Sequence, residues 1–343
     1  MNIKYLLPFA AAIALVACGD DNSNALAPVP ESSAVVPTSS ETVPASSAVV
    51  PGSSEALPAS SAVDPLSSAV EPGSSAVEPA SSASTGGIDP IPPDVDGPYD
   101  PTKQYVFYGA ELTGKEQFVY GRFEARMKMA ATSGSVSSMF LNYDLSWKKD
   151  TEPWNEIDIE VLGKDPTSWQ SNIITREADP SITGTTASEK IHPFGFDATN
   201  EFHLYAIIWT PDYVAWEIDS VEVRRVSVGE LVGSHADADQ VKFLTEKQSL
   251  RFNLWASKSA GWTGKWAPEN LPIEQHIDYV RAYTYNEGTK DFTLSWQDDF
   301  NGDALDYSRW SEGNWEMERV MYRDLNIRVE NGYAKLRLDY ELK

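Results

Sequence analysis

Cysteine and histidine are scarce, and their scarcity disfavours several kinds of chemistry. Cys18 is the only cysteine among 343 residues, so the chain has no second cysteine with which to form an internal disulfide. The four histidines, His192, His203, His235 and His276, are scattered and show no zinc-binding spacing. A serine nucleophile elbow and a glycine-rich phosphate loop are also missing. Stability must therefore come from packing or from a metal held in another way.

Basic residues are few as well. The chain has 27 Lys and Arg against 51 Asp and Glu, a formal net charge of −24. Lys4 is the only base before Lys103, and no basic stripe follows. Because nucleic-acid binding needs clustered Lys and Arg, that partner is not expected. An acidic surface is compatible with neutral polysaccharide, although charge alone does not select it.

Long apolar runs are limited to the N terminus, where one lysine precedes an apolar stretch that is too short to span a membrane but typical of a secretory signal. Leu15-Val-Ala-Cys18 resembles a bacterial lipoprotein cleavage box. We therefore predict a signal peptide over residues 1–18, lipidation of Cys18, and export to the cell envelope or surface, on the bacterial outer membrane. The alternative is a plain signal peptide with an incidental cysteine.

A degenerate repeat follows the signal. Ser32-Ser-Ala-Val-Val-Pro37 recurs with variations up to Pro79, without any aromatic residue. Regular proline opposes both helix and sheet, and the like charges repel one another. Residues 19–100 are therefore predicted to be an extended, disordered tether, and residues 101–343 the folded domain. About 240 residues are enough for one large all-β domain.

Short alternating segments dominate the remainder. Apolar and polar residues alternate over 121–129, 213–219, 249–255 and 279–285. Period-two alternation predicts strands with one buried and one exposed face. Many such strands with few helical stretches favour an all-β fold built as an antiparallel sandwich.

Three acidic residues stand out in one of these segments. Glu156, Asp158 and Glu160 alternate with Ile157, Ile159 and Val161, so a strand places three carboxyl groups on one face and three β-branched residues in the core. An acidic surface strand is the plainer interpretation. The functional interpretation is that these residues are catalytic, because carboxylates side by side repel one another and raise one another's pKa.

Unequal pKa values let one carboxyl stay protonated while another is ionised, which is the division of labour that glycoside hydrolysis requires. A retaining enzyme needs its two carboxyl groups about 5–5.5 Å apart. Residues i and i+4 of a flat strand lie about 13 Å apart at Cα. The two side chains must therefore lean together on the concave side of a curved sheet.

Trp154-Asn-Glu-Ile-Asp-Ile-Glu-Val-Leu-Gly163 resembles the signature of glycoside hydrolase family 16, and in particular its 1,3-1,4-β-glucanases, the lichenases. Laminarinases of the family usually carry one more residue between the aspartate and the second glutamate. The resemblance covers roughly residues 105–343. Supporting stretches are 109–112, 121–128, 134–140, 202–205, 209–211 and 252–255. It implies a concanavalin-like β-jelly roll with a substrate cleft across its concave sheet.

By this resemblance Glu156 is the nucleophile, Glu160 the acid/base, and Asp158 the residue that tunes the pair in a retaining endo-hydrolysis of mixed-linkage β-glucan. The sugar-contacting positions that it implies are Glu111, Phe140, Trp154, Asn172, Asn253, Trp255 and Trp262. Aromatic rings stack on sugar C–H faces, and amides and acids read hydroxyl groups. Trp216, Trp296 and Trp310 are instead predicted to be core residues.

The sequence departs from the lichenase pattern at two positions. Lichenases usually have a tyrosine where this chain has Asn142, with Tyr143 next to it, and an asparagine that aligns with Glu318. Both departures concern the non-reducing side of the cleft and leave the exact glucan open. Segments 300–310 and 326–338 resemble the beginning of a typical member, so the chain resembles a circularly permuted form of the family.

Two alternatives remain at this stage. A hydrolase of the same fold could act on another β-glucan such as laminarin or xyloglucan. A glucan-binding surface lipoprotein without activity is the runner-up from another class, although the intact trio of carboxyls argues against it. No cofactor is required for the chemistry; the resemblance leaves room for a structural Ca²⁺ held by main-chain carbonyls. A monomer that meets the membrane only through its lipid anchor is expected.

Overall fold

The computed structural model describes residues 97–148, 151–177, 185–234 and 238–343. Outside them lie Cys18, the predicted signal peptide, the predicted tether up to residue 96, and His235. Within the described ranges, no helix combines the length and the apolar character needed to cross a membrane.

Strands account for nearly all of the regular structure. They are β1 (Tyr105–Phe118), β2 (Gly121–Lys128), β3 (Ser135–Asn142), β4 (Trp154–Leu162), β5 (Ser168–Arg176), β6 (Thr186–Ala187), β7 (Lys190–Pro193), β8 (His203–Trp209), β9 (Tyr213–Ile218), β10 (Val221–Ser227), β11 (Gln248–Ala256), β12 (Ile273–Asn286), β13 (Asp291–Asp298), β14 (Trp310–Glu312), β15 (Glu316–Met317), β16 (Val320–Tyr322), β17 (Ile327–Glu330) and β18 (Tyr333–Leu342). The helices are single turns: α1 (Gln240–Phe243), α2 (Ala260–Thr263) and the 3₁₀ turns Pro268–Asn270 and Asp324–Asn326.

The predicted strands are confirmed. Segments 121–129, 213–219 and 249–255 form β2, β9 and β11, and segment 279–285 is the second half of the longer β12. The chain is therefore all-β, as the alternation indicated.

Two antiparallel layers form the fold. The front sheet has the strand order β14–β1–β11–β3–β4–β5, with β6 and β7 paired to the outer edge of β5. The back sheet has the order β10–β9–β8–β2–β12, with β13 and β18 along the far side of β12 and β17 beyond β18. The architecture is the predicted antiparallel jelly-roll sandwich.

The first strand joins the two layers. Tyr105 to Tyr108 of β1 pair with Leu342 to Asp339 of β18, whereas the second half of β1 pairs with β11 in the front sheet. A strand that changes sheets is a common way to close a sandwich at its corner. The first and last strands of the described chain therefore lie side by side.

One hydrophobic core fills the space between the layers. Ile157, Ile159 and Val161 of β4 are fully buried in it, so the outer face of β4 carries the three acidic residues. The indole N–H of Trp216 on β9 donates a hydrogen bond of 2.9 Å to the carbonyl oxygen of Asp158, which ties the back sheet to β4. Trp216, Trp296 and Trp310 are all buried core residues, as predicted.

Residues 97–100 contact the domain, although the sequence assigned them to the tether. The ring of Tyr99 lies 5.0 Å from that of Tyr105 and 5.7 Å from that of Tyr340. The hydroxyl of Tyr340 donates a hydrogen bond to the carbonyl oxygen of Gly97 at 3.0 Å. An aromatic residue at position 99, absent from the preceding repeat, was the available signal for this contact.

Candidate active site

The outer face of the front sheet carries three rows of side chains, because residues opposite one another in neighbouring strands share a face. From β1 or β11 across to β5, the rows are Glu111–Asn253–Ser138–Glu160–Gln170, then Thr113–Arg251–Phe140–Asp158–Asn172, then Ser249–Asn142–Glu156–Ile174. Each row contains one acidic residue of β4. The strand registers thus collect most of the predicted site residues on one surface.

Glu156 is held by two hydrogen bonds that end on the same oxygen. Its Oε2 accepts from the indole N–H of Trp154 at 2.9 Å and from the amide Nδ2 of Asn142. Burial raises the pKa of Glu156, but these two donors, a hydrogen bond with Asp158 and the charge of Arg251 oppose that rise. The surroundings of Glu156 therefore contain several groups that favour its ionised form.

Glu160 lies in a less favourable setting for negative charge. Its Oε2 accepts one hydrogen bond, from the amide of Gln170 at 2.8 Å. Burial and the charge of Glu156 raise the pKa of Glu160 to about 8. A carboxyl with this pKa carries a proton at neutral pH and can donate it. Glu156 and Glu160 lie two residue pairs apart along this face of β4, with Asp158 between them.

Asp158 lies between the two glutamates and is the most buried of the three, with 3% of its surface exposed. Burial, followed by the charges of Glu156 and Glu160, raises its pKa well above the usual range. A neutral Asp158 adds no negative charge between Glu156 and Glu160. This environment fits a tuning role.

Strand β11, which is separated from β4 by β3, supplies a cation to this surface. Arg251, whose side chain is 15% exposed, bridges two acids, with Nη1 3.0 Å from Oε1 of Glu111 and Nη2 2.8 Å from Oδ1 of Asp144. Burial raises the pKa of Glu111, and the Arg251 charge opposes that effect. Glu111 is thus fixed within an ion pair at the end of the first row, next to Asn253.

Two tryptophans pack against each other, and one of them contacts Gln170 of the first row. The rings of Trp255 and Trp262 lie 5.9 Å apart and are tilted by 51°. The indole N–H of Trp262 donates to Oε1 of Gln170 at 3.2 Å, and the amide of Gln170 in turn donates to Glu160. Trp262 therefore stands beside the predicted acid/base, where a sugar ring could stack on it, whereas Trp255 is buried, with 6% of its surface exposed.

The other predicted sugar contacts are also held by polar neighbours. Oδ1 of Asn253 accepts from the Ser138 hydroxyl at 2.5 Å, and Oδ1 of Asn172 accepts from the backbone N–H of Ser188 at 3.0 Å. These contacts leave the amide N–H groups as donors. Phe140 lies between them, opposite Asp158. Trp154 is engaged by Glu156 through its indole N–H, so its role is not limited to a sugar contact.

The two departures from the lichenase pattern have different positions. Asn142 faces the site and contacts Glu156, whereas Tyr143 follows the end of β3 and donates its hydroxyl to Glu152 at 2.8 Å. Burial and Glu152 raise the pKa of Tyr143 to about 12. Glu318 accepts a hydrogen bond of 2.9 Å from the Ser257 hydroxyl at the end of β11. Tyr143 therefore does not replace the missing tyrosine.

Sequence reasoning missed several residues of these rows. They are Thr113, Ser138, Asn142 (noted only as a departure), Gln170, Ile174, Ser249 and Arg251. All of them lie two or four positions from an identified residue of the same strand. The period of two along a strand was the signal that could have found them.

Metal ligands are not gathered here. Among the residues that the structure describes, no three His, Cys, Asp or Glu side chains form a group that could hold a metal ion. His192 contacts the Ser171 hydroxyl, His203 pairs with Asp219, and His276 pairs with Glu274. The described histidines thus each have a different polar neighbour.

The sequence of this chain is similar to those of known proteins. Residues 100–281 match the family model described as glycosyl hydrolases family 16. A beta-glucanase of Fibrobacter succinogenes is 48% identical over 238 residues, covering 68% of this chain and 64% of that protein. A beta-glucanase of Brevibacillus brevis is 35% identical over 51% of this chain and 60% of that protein.

The chain therefore spans somewhat less than two thirds of the length of these curated relatives. Among solved structures, a Bacillus licheniformis beta-glucanase is 25% identical, with a TM-score of 0.41 over 60% of this chain and 91% of that one. The sequence match over more than half of the chain is the finding that assigns a family.

Proposed function

We propose that this chain, which belongs to glycosyl hydrolase family 16, is a retaining endo-β-glucanase that hydrolyses mixed-linkage 1,3-1,4-β-D-glucan. One observation carries the proposal: Glu156 and Glu160 share a face of β4 but differ in their surroundings. Two donors stabilise negative charge on Glu156, whereas Glu160 has a pKa of about 8 and keeps its proton at neutral pH.

In the first step, an oxygen of Glu156 bonds to the anomeric carbon while the bond from that carbon to the glycosidic oxygen breaks. The proton of Glu160 moves to the departing oxygen, so the leaving sugar is released as a neutral alcohol. The product of this step is a glycosyl ester of Glu156. Asp158, held neutral by its neighbours, adds no further negative charge beside the reacting pair.

In the second step, the ionised Glu160 takes a proton from water, whose oxygen attacks the anomeric carbon and releases the Glu156 carboxylate. Two inversions at one carbon give net retention of configuration. The pKa of Glu160 falls once the ester has removed the charge on Glu156, and this makes the change from acid to base easier.

The long open surface favours an endo mode of action. Two of the rows extend over five strands and the third over four. Trp255 and Trp262 stand at one end of this surface, and Trp154 lies at the other, with the Arg176 guanidinium 5.3 Å from the centre of its ring. Stacking surfaces on both sides of the carboxyls suit a polymer bound across the sheet. A neutral glucan chain also suits an acidic protein.

The test is a digest of lichenan, barley β-glucan, laminarin and xyloglucan with product analysis. We expect rapid loss of chain length on the two mixed-linkage glucans, and NMR should show the β-anomer as the first-formed product. An α-anomer would exclude the retaining mechanism. Preference for laminarin or xyloglucan would assign the site to another β-glucan, and binding without any reducing-sugar release would make the protein a glucan-binding module.

We also propose that Cys18 is lipidated and anchors the protein to the bacterial outer membrane, with the repeat as a spacer. The sequence box at residues 15–18 and the absence of a second cysteine support this. Mass spectrometry of the native N terminus should find a diacylglyceryl cysteine. A mature chain that begins elsewhere and carries no lipid would contradict the proposal.

A circularly permuted order and a calcium ion are the remaining proposals from the family resemblance. The permuted order is supported by the pairing of Tyr105 with Leu342 and by the turn at residues 286–291 that joins β12 to β13. Termini that lie together are what permutation requires.

Calcium held by main-chain carbonyls should raise the Tm relative to protein treated with a chelator, and equal Tm values would contradict it.

A further inference from the structure

Asn142 contacts the predicted nucleophile but belongs to none of the positions assigned a role so far. It lies at the end of β3, directly opposite Glu156 of β4 and next to Ser249 of β11. Opposed residues in neighbouring strands have Cβ atoms about 4.5–5.5 Å apart, which is within reach of an amide. Its Nδ2 donates to Oε2 of Glu156.

The second donor reaches the same oxygen from another direction. Trp154 precedes Glu156 by two residues on β4, and its indole N–H donates to Oε2 at 2.9 Å. The Trp154 donor thus lies on the same strand as Glu156, and the Asn142 donor lies on the neighbouring strand β3. Two donors from different directions restrict rotation of the carboxylate, whereas a single donor leaves it free to turn.

We propose that Asn142 is a positioning residue for the nucleophile: with Trp154 it fixes Oε2 of Glu156 and leaves Oε1 as the oxygen that attacks the sugar. This inference rests on the proposed function for the identity of the reaction. The geometry that supports it, two donors on one oxygen, does not depend on which reaction the protein catalyses.

The arrangement suits both stages of the reaction. Hydrogen bonds to the ionised carboxylate favour that form, which the nucleophile needs before it attacks. When Oε1 bonds to the sugar, Oε2 becomes the carbonyl oxygen of the ester and can still accept from Asn142. The amide therefore holds one orientation from the free enzyme to the intermediate, and this reduces the motion required for reaction.

A plain sugar contact is the competing interpretation of Asn142, and the two make different kinetic predictions. Loss of a sugar contact that is equal in substrate and transition state raises KM and leaves kcat unchanged. Loss of a positioning group lowers kcat with little effect on KM. It also moves the acidic limb of the pH profile to higher pH, because a donor to the ionised form is gone.

The experiment compares Asn142→Ala and Asn142→Asp with the wild type on barley β-glucan. For Asn142→Ala we expect kcat to fall about 10-fold, a KM within about twofold of wild type, and an acidic limb shifted up by about one pH unit. Asn142→Asp keeps the shape but faces Oε2 with a carboxyl, so its limb should shift further. Asn286→Ala, which removes an amide from the surface turn after β12, is the matched control and should change none of these values.

A second measurement needs no substrate. In protein with ¹³C-labelled glutamate, the carboxyl signal of Glu156, assigned by its loss in Glu156→Gln, should titrate at higher pH in Asn142→Ala than in the wild type. An unmoved titration, or a raised KM with unchanged kcat and pH limb, would overturn the inference. Inactivity of the wild type on every β-glucan would instead remove the proposed function, and the titration would still decide the role of Asn142.

Discussion

Apolar and polar residues alternate in both β2 and β4, but the acidic residues of the two strands have opposite surroundings. On β2, Arg122 lies 3.1 Å from Glu124 and 2.9 Å from Glu217 of β9, and Arg281 of β12 lies 3.6 Å from Glu124 on its other side. Every acid in that group has a cation beside it. The outer face of β2 therefore gains stability from the charges that it carries.

On β4 the neighbours of the acids are other acids and uncharged donors. Glu156 and Glu160 receive hydrogen bonds from Asn142, Trp154 and Gln170. Arg251 of β11 is already paired with Glu111 of β1 and with Asp144, which follows β3. Such a face costs folding energy when it ionises. The contrast indicates that β4 is arranged for chemistry and β2 for stability, and each of the following experiments tests that contrast.

The largest expected effect is the loss of activity in Glu156→Ala and Glu160→Ala. Each should reduce kcat on β-glucan by about 10²–10⁴-fold or more, since each removes one half of the double displacement. Azide should rescue Glu156→Ala with an inverted product. It should rescue Glu160→Ala on activated aryl glycosides with a retained product, because those leaving groups need no proton.

The matched control for these variants is Glu124→Ala on β2. It should lower the free energy of unfolding by about 1–3 kcal/mol, because Arg281 loses its acidic partner and Arg122 loses one of two, and leave kcat unchanged at a temperature where it is folded. Full activity of either β4 variant would end the contrast, and exchanged rescue products would reverse the two roles.

Replacing a glutamate by the isosteric glutamine should change stability in opposite directions on β4 and on β2. The pKa of Glu160 is raised in the folded protein, from its usual range to about 8, so its contribution to stability is greatest at low pH and is lost as pH rises to about 8. Glu160→Gln removes this loss and should raise the Tm at pH 8–9, by about 2–4 °C per kcal/mol. Glu124→Gln should lower it. A lower Tm for both would show that the β4 charges stabilise the fold.

The same pKa values predict the pH profile of the wild type. Activity should rise as Glu156 ionises and fall above a pH of about 8, where Glu160 loses the proton that it must donate. Glu160→Ala should lose the basic limb on activated aryl glycosides. A basic limb that persists in this variant would assign it to another group.

Asp158→Asn should have a smaller effect on kcat, about 10-fold, because it removes a tuning group and not a reacting atom. Azide should not rescue it, and its far-UV spectrum should match that of the wild type. A loss as large as that of Glu156→Ala would place Asp158 among the reacting groups.

The smallest effect should come from truncation, which leaves both strands intact. Chains that begin at residue 97 or at residue 101 should keep a kcat within about twofold of the full chain, because the repeat has no residues with which to form a core. The chain that begins at 101 should have the lower Tm, because it lacks the contacts of Tyr99 with Tyr105 and Tyr340. Equal Tm values would show that these rings add nothing to stability.

Periodicity along the chain determined much of this protein. The alternation of Glu156, Asp158 and Glu160 with Ile157 and its apolar neighbours already assigned one set to the core and the other to the surface. A strand has a fixed period of two, so a local pattern is enough for that decision. The all-β class followed from the same kind of reasoning.

Register between strands was decided only by the tertiary structure. Nothing local states that Asn142 lies opposite Glu156, that Arg251 is next to Phe140, or that Gln170 reaches Glu160. These pairs join residues that are up to about a hundred positions apart, and their alignment depends on turns and on packing of the whole sandwich. The pKa values that separate the two glutamates depend on those same neighbours and on burial, which only the folded chain defines.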